Sequence, residues 1–133
     1  MQAIVQKTFG GPGVLELVEV DRPRPLPTEV LVRVRAIGLN PVEALIRNGS
    51  HRHQGFPLLG HPPFILGWVI SGVVEEVVPG GNRFAVGDEV YGMPLFPRAA
   101  GAYAEFVAAP SRQLARKPRV VDHVHASALP LAG

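Results

Sequence analysis

The sequence contains no cysteine, which excludes both a disulfide framework and a zinc site built on thiolates. It also has no apolar run near the roughly 20 residues that a membrane-spanning helix needs. Residues 1–7 alternate polar and apolar side chains and do not resemble the apolar core of a signal peptide. We therefore expect a cytoplasmic protein that does not interact with a membrane.

Charge of one sign is not concentrated anywhere. The 13 basic residues stand against 11 acidic ones, and the arginines are scattered along the chain. Nucleic-acid-binding proteins usually cluster basic residues on one face, so we expect no nucleic-acid partner.

Phosphate-binding loops are missing as well. Neither G-x-G-x-x-G after a strand nor a Walker loop occurs in the sequence. The glycine-rich residues 10–13 suit a hairpin turn instead of the start of a helix. We infer that the chain carries no nucleotide-binding unit of its own.

Glycine and proline are abundant, at 15 and 14 of the 133 residues, in a composition that is 47% hydrophobic. This balance favours one globular, mainly β domain of many short strands joined by tight turns. Residues 63–92 organise it, because Gly67 and Gly72 interrupt a run of strand-forming side chains. We predict here one long, bent strand that folds back on a partner, at the corner of a small barrel.

Shorter elements are predicted on either side of this stretch. Alternating patterns predict further strands, at 2–7, 14–20, 29–39, 101–109 and 113–115. Asn40 and Pro41 suit the N-cap and first position of a short helix that ends at Gly49. Asp122 suits the N-cap of a final helix, which is still apolar where the sequence stops. We therefore expect the chain to be the front piece of something longer.

Few side chains outside the turns suggest chemistry. Histidines 51, 53 and 61 share one predicted loop and either bind a divalent metal or lie solvated; the lack of a nearby carboxylate or thiolate favours the second interpretation. Ser71 and the glycine after it are interpreted as small residues that let a strand bend. Asn40 either caps the helix only or also turns its side chain toward a cleft.

The order of the elements and several motifs resemble the N-terminal catalytic domain of the medium-chain dehydrogenase/reductase superfamily. The closest resemblance is to its zinc-free, NADPH-dependent, quinone-oxidoreductase-like branch. The matching motifs are spread along the whole chain, at 10–15, 29–34, 38–43, 65–67, 71–74, 84–92, 101–106 and 128–133. The resemblance implies a GroES-like, partly open β-barrel with short helices over residues 1–121. Residues 122–133 would begin the helix that normally leads into a Rossmann domain, and this sequence lacks that domain.

In such enzymes the Rossmann domain holds NADPH, which passes a hydride to a quinone, an enone or a related carbonyl compound. An asparagine at the position of Asn40 lines the cleft beside the nicotinamide, so the resemblance assigns Asn40 a catalytic and cofactor-binding role. The candidate substrate-lining residues would contact a small apolar or carbonyl-containing ligand: Leu45, His51, Trp68, Leu95 and Phe96. Without the Rossmann domain, we expect no cofactor to bind this chain alone.

Departures from the family pattern bear on the function. Zinc-dependent relatives carry an early cysteine and a His-Glu pair after the glycine equivalent to Gly67, whereas this chain has Trp68-Val69; we expect no metal. Zinc-free relatives usually keep an acidic residue at the position of Val69. Quinone-reducing relatives often have tyrosines at the positions of Leu45 and His51, so the substrate is left open.

Two hypotheses follow. In the first, the chain is the N-terminal catalytic-domain portion of a zinc-independent, NADP(H)-dependent oxidoreductase and is inactive as a dehydrogenase on its own. In the second, it is a stand-alone small barrel that binds an apolar ligand or catalyses a cofactor-free reaction on one. Uncovered strand edges invite pairing with another chain, so we also expect a homodimer formed through exposed strand edges.

Overall fold

The structure, a computed structural model, describes residues 1–50, 59–80 and 83–133. Within these ranges the chain forms eight strands, three α-helices and two short 3-10 helices. The strands are β1 (Gln2–Gln6), β2 (Leu15–Glu19), β3 (Glu29–Gly38), β4 (Phe64–Ile65), β5 (Val69–Val77), β6 (Glu89–Gly92), β7 (Phe106–Pro110) and β8 (Leu114–Arg116). The helices are α1 (Pro41–Asn48), α2 (His123–Ala126) and α3 (Leu129–Ala132).

The strands form two antiparallel sheets. One sheet has three strands in the order β2-β1-β4, and the other has five in the order β7-β3-β5-β6-β8. Neither sheet closes on itself, which confirms the mainly β, partly open architecture that the sequence predicts. The described residues contain none of the parallel strand pairs on which a Rossmann domain is built.

The five-stranded sheet carries the larger hydrophobic core. Its buried members are mostly small, β-branched or aliphatic: Val30, Val32, Ile70, Val74, Phe84, Val90, Ala102, Val107, Ala109 and Leu114. The pairing register of β3 with β5 shifts at two places along β3, which bends the strand. The same two strands approach closely at Gly72, where a Cβ atom would lie 2.2 Å from the carbonyl oxygen of Arg33. Only glycine fits that contact.

Residues 63–92 are divided between the two sheets, so the prediction of one long strand is wrong. β4 pairs with β1, whereas β5 begins at Val69 in the other sheet. The chain changes direction between them at Gly67, which has φ +95° and packs directly against the ring of Tyr103. A left-handed residue cannot continue a strand. A second core cluster lies at this bend and consists of Ile46, Leu66 and Trp68.

Two other predicted boundaries differ from the structure. Within residues 101–105 the only pairing is an isolated bridge from Ala104 to β1, and the strand itself begins at Phe106. The final helix is interrupted and forms α2 and α3, because Pro130 lacks the N–H that a continuous helix would pair with the Ala126 carbonyl. No helix in the described part of the chain is both long and apolar enough to cross a membrane.

Candidate active-site cleft

Asn40 lies at the junction of β3 and α1, with extended backbone torsions of φ −135° and ψ 155°. The next residue, Pro41, opens α1 at a position where no backbone N–H is needed. The Glu43 carboxylate accepts a hydrogen bond from the Asn40 backbone N–H, with an Oε2-to-N distance of 2.7 Å. Gly49 ends the helix with φ +83°. The predicted cap is therefore confirmed, and it holds the half-buried Asn40 at the end of the longest strand.

A cavity of about 280 Å³ opens beside Asn40. The end of β3, the start of β5 and the segment carrying α2 and α3 form its walls. All of its lining residues are neutral: Ile37, Gly38, Leu39, Asn40, Val69, Val124, Ser127, Ala128, Leu131 and Ala132. Gly38 is required here, because a Cβ atom on it would lie 2.4 Å from the Ser127 carbonyl oxygen. The cavity suits an uncharged ring and offers no cation to a phosphate group.

Glu43 is a buried carboxyl group in the first turn of α1, with 3% of its surface exposed. Burial raises its pKa, and hydrogen bonds from Asn40 partly oppose that shift. Its second oxygen, Oε1, has no hydrogen-bond partner among the described residues. Burial and the nearby Glu43 charge together raise the pKa of the Tyr103 hydroxyl to about 12. Tyr103 therefore keeps its proton at neutral pH.

The side chains of Trp68 and Val69 point in different directions, as those of consecutive residues at the start of a strand do. Trp68 is 1% exposed, and its indole N–H donates a 2.6 Å hydrogen bond to the Arg98 carbonyl. The ring of Phe96 contacts the indole edge-on, with ring centroids 5.2 Å apart. Val69 instead lines the cavity beside Asn40. The pair that replaces His-Glu thus supplies packing and an apolar wall, and neither side chain can ligate a metal.

The loop that carries Phe96 is held in a defined conformation. Leu95 has φ +67°, a left-handed conformation that costs a residue with a Cβ about 1–2 kcal/mol. Its N–H donates to Gln113 Oε1 at 2.8 Å, and its carbonyl accepts from the Arg98 N–H at 2.7 Å. Phe96, 47% exposed, therefore presents an apolar face to solvent next to a buried tryptophan.

The remaining lining candidates are less constrained by the structure. Leu45 projects from α1 and is exposed, and it does not line the cavity beside Asn40. His51 lies outside the described residues. The structure thus brings Asn40 together with Val69 and, separately, Trp68 together with Phe96. The substrate-lining roles of the five candidates stay predictions.

The part of the chain that the structure describes contains no group of three His, Asp or Glu side chains able to hold a metal ion. His61 packs its ring against Phe9, with centroids 6.4 Å apart. The two histidines at 51 and 53 fall outside the described residues. The apolar Trp68-Val69 pair and the lack of cysteine are consistent with this.

A polar network that the sequence does not predict links β5, β6 and α2. Ser71 Oγ lies 2.7 Å from His123 Nδ1, and His123 Nε2 lies 3.1 Å from Glu89 Oε1. His125, two residues along, instead contacts Asp122 through a 2.7 Å Nδ1-to-Oδ1 hydrogen bond. His123 is 52 and 34 residues away from its two partners, so no local sequence pattern signals the contact.

The sequence is similar to a known domain family and to several known proteins. The family described as "Alcohol dehydrogenase GroES-like domain" matches residues 26–119. The quinone oxidoreductase of Rattus norvegicus is 36% identical to this chain, over 97% of the chain and 37% of that protein. The chloroplastic NADPH-dependent alkenal/one oxidoreductase of Arabidopsis thaliana is 35% identical, over 99% of the chain and 35% of that protein. The chain therefore spans a little over a third of the length of these curated relatives.

Solved structures agree with the sequence relatives. The quinone oxidoreductase from Coxiella burnetii superposes with a TM-score of 0.90 at 34% identity, covering 100% of this chain and 42% of that one. The Escherichia coli quinone oxidoreductase complexed with NADPH superposes with a TM-score of 0.84 at 29% identity, covering 98% and 37%. This chain belongs to the alcohol dehydrogenase GroES-like domain family, within the quinone-oxidoreductase-like branch of the medium-chain dehydrogenase/reductase superfamily.

Proposed function

We propose that this chain is the substrate-side, GroES-like portion of a cytoplasmic, zinc-independent, NADP(H)-dependent oxidoreductase that reduces a quinone or an enone. The observation that carries the proposal is the neutral cavity beside Asn40, at the junction where the family resemblance expects the nicotinamide. The names of the relatives, quinone oxidoreductase and NADPH-dependent alkenal/one oxidoreductase, support the substrate class.

The cavity fits one end of NADPH and not the other. Its uncharged lining accepts a neutral ring and an amide, and the Asn40 side chain there can hydrogen-bond to either the nicotinamide or a substrate carbonyl. The other polar side chain of the lining, Ser127, already donates its hydroxyl to the Val124 carbonyl. The phosphates need backbone N–H groups or cations, and this sequence has no glycine-rich phosphate loop. NADPH, when bound, supplies the hydride; this chain supplies the position of the acceptor and a wall that excludes water.

The apolar surface formed by Phe96 and its neighbours suits the proposed substrates. A quinone or an unsaturated carbonyl compound is planar and largely apolar, and it can pack on an exposed aromatic ring at little cost in desolvation. The hydrogen bonds at Leu95 hold that ring in place before any ligand arrives. Such preorganisation raises affinity because less ordering is needed on binding.

Zinc independence rests on the ligand chemistry of this chain. A catalytic zinc ion takes three protein ligands from Cys, His, Asp or Glu side chains. Cysteine is absent from the sequence, and Trp68-Val69 occupies the position of the usual His-Glu pair. We propose that the substrate carbonyl is polarised through hydrogen bonds and not by a metal.

The proposal is tested by assaying two proteins with NADPH and a benzoquinone or an alkenal. The 133-residue chain alone should not oxidise NADPH. A fusion to the part of the Escherichia coli quinone oxidoreductase that this chain does not cover should do so, and a metal chelator should not slow it. Asn40→Ala should lower kcat/KM of the fusion by about 10- to 100-fold, whereas the matched control Asn48→Ala, at the other end of the same helix, should not.

The same assay addresses the stand-alone barrel as a second function, which the exposed apolar side chains of Leu45 and Phe96 favour. In that case the chain alone would bind the apolar compound, or convert it without NADPH, and the fusion would remain inactive. Oxidation of NADPH by the chain alone would contradict both functions.

A further inference from the structure

Ser71, His123 and Glu89 form a continuous chain of hydrogen bonds that the proposed reaction does not use. Ser71 lies near the start of β5, Glu89 at the start of β6 and His123 at the start of α2. The serine Oγ is 2.7 Å from the imidazole Nδ1, and the imidazole Nε2 is 3.1 Å from a carboxylate oxygen. Ser71 is fully buried, so no external molecule can reach its hydroxyl, and a nucleophilic role is excluded.

The partners determine which imidazole nitrogen carries the proton. The Glu89 carboxylate can only accept, so Nε2 of His123 must donate to it. In the neutral ring Nδ1 is then an acceptor, and the Ser71 hydroxyl donates to it. The Ser71 hydroxyl and both His123 ring nitrogens each have a hydrogen-bond partner in this arrangement, which makes the network geometrically specific.

The network continues to the turn that precedes α2. The ammonium group of Lys117 is buried and lies 3.6 Å from the second Glu89 carboxylate oxygen. It also donates to the backbone carbonyls of Pro118, at 3.1 Å, and of Val121. The polar chain therefore connects the central strand of the sheet to both the start of α2 and the turn before it.

α2 needs such contacts because it is only four residues long. A helix of this length is unstable by itself, since one turn fixes more torsions than its hydrogen bonds repay. Asp122 caps its first turn by accepting from the His125 N–H at 2.8 Å, which is a bond within the segment. His123 ties the helix itself to the barrel through its side-chain hydrogen bonds with Ser71 and Glu89. Lys117 holds the turn that leads into the helix.

We propose that the Ser71–His123–Glu89 network is a latch that fixes residues 122–133 against the barrel and so positions one wall of the cavity beside Asn40. Half of the cavity lining belongs to this segment: Val124, Ser127, Ala128, Leu131 and Ala132. His123 is in this sense a positioning residue and does not contact the cavity itself. The latch is inferred from the hydrogen-bond geometry alone. Its expected effect on NADPH binding rests on the proposed function.

Hydrogen exchange on the 133-residue chain tests the latch directly. The amides of Ala126 and Ser127, which are bonded inside the segment, should exchange about tenfold faster in His123→Ala and in Ser71→Ala, because each variant loses at least one network hydrogen bond. Amides of β3 and β5 should be unchanged. The matched control is His125→Ala, which removes a histidine from the same helix without touching the barrel and should leave the docking of the segment intact.

Two conservative variants dissect the geometry. An asparagine at 123 can mimic Nδ1 and a glutamine can mimic Nε2, so His123→Asn should keep the Ser71 contact and His123→Gln the Glu89 contact. Each should restore part of the protection lost in His123→Ala. In the imidazole ¹⁵N spectrum, the neutral form of His123 should carry its proton on Nε2, and Ser71→Ala should shift the Nδ1 resonance.

The outcomes separate the latch from the proposed function. Unchanged exchange at Ala126 and Ser127 in both alanine variants, or a proton on Nδ1, would overturn the latch. Faster exchange in every strand of Ser71→Ala would also overturn it, since the network would then support the whole core. In the fusion enzyme, His123→Ala should raise KM for NADPH and leave kcat within about twofold. If the fusion is inactive but exchange changes as expected, the latch holds and the proposed function fails.

Discussion

The ring of Phe96 stands edge-on against the indole of Trp68, with centroids 5.2 Å apart and an interplanar angle of 75°. Trp68 is the single tryptophan of the chain and is buried. Its fluorescence therefore reports on the loop that presents Phe96, whose ring is 47% exposed.

Replacing Phe96 with alanine should move the Trp68 emission to longer wavelength. The missing ring admits water to the edge of the indole, and the lost aromatic pair should lower the free energy of unfolding by about 0.5–1.5 kcal/mol. Emission spectra and urea unfolding measure both effects. Val86→Ala, an exposed apolar residue in a turn, is the control and should change neither. An unchanged emission maximum would show that the indole does not depend on Phe96 for its burial.

Gly72→Ala should destabilise the protein by more than about 3 kcal/mol or prevent folding. The new Cβ would lie 2.2 Å from the carbonyl oxygen of Arg33, and β5 cannot move away without breaking its ladder with β3. Gly13→Ala is the matched control, because nothing lies within 4 Å of a Cβ there, and it should stay within about 0.5 kcal/mol. Equal urea midpoints for the two variants would refute the close approach.

Glu43→Gln should gain stability relative to the native protein as the pH rises from about 4 to about 7. Because burial raises the pKa of Glu43, the folded state binds this proton more tightly than the unfolded chain. That contribution is fully present below the usual value of 4.5 and is lost as the pH rises through the folded value. Glutamine is neutral throughout and can still accept from the Asn40 N–H. Urea unfolding at several pH values measures the difference.

Asp88→Asn is a control whose stability should change with pH in the opposite direction to that of Glu43→Gln. A hydrogen bond from the Ala85 N–H and the nearby Arg116 hold the pKa of Asp88 below its usual value. Its contribution is present above 3.8 and is lost as the pH falls through the lowered folded value. Asp88→Asn should therefore be less stable than the native protein at neutral pH and approach it on acidification. If the free energy of unfolding depends on pH in the same way for Glu43→Gln and the native protein, then Glu43 has the same pKa in the folded and unfolded states.

Among the described residues, β2 is an edge strand of the three-stranded sheet, and Leu17 on it is 66% exposed. We expect this edge to pair with a second copy, because unpaired backbone groups beside an apolar side chain favour strand addition. Sedimentation velocity at increasing concentration should show a dimer, and Leu17→Lys should shift it toward the monomer. Leu26→Lys, equally exposed at 63% but in a proline-rich connector, should not. A monomer at every concentration would argue against edge pairing.

Much of the fold was predictable because its signals are local. The strands β1, β2 and β3 form close to where the side-chain patterns predict them, and the Asn40 cap and the Gly49 stop of α1 are also as predicted. Their burial does not alternate, since Val30, Leu31 and Val32 are all buried and Leu17 is exposed. Prediction failed where a single residue redirects the chain. A glycine inside a run of strand formers is compatible with a bulge or with a left-handed turn. Gly67 adopts the left-handed turn, with the ring of Tyr103 packed against it.

Some features of the candidate site could likewise be predicted from the sequence, and others could not. Asn40 and the replacement of a ligand pair by Trp68-Val69 are visible in the sequence, since both depend on residue type at a recognisable motif. The orientation of the two side chains is not, because Trp68 and Val69 face different neighbours that are distant along the chain.

The mainly β composition, the absence of cysteine ligands and the family of the chain can be read from residue types and their spacing. Three features became visible in the folded chain alone: β4 and β5 belong to different sheets, Val69 lines a neutral cavity and Ser71 contacts His123. Each of these depends on contacts between residues far apart in the chain, and the register and packing that create such contacts leave no local pattern.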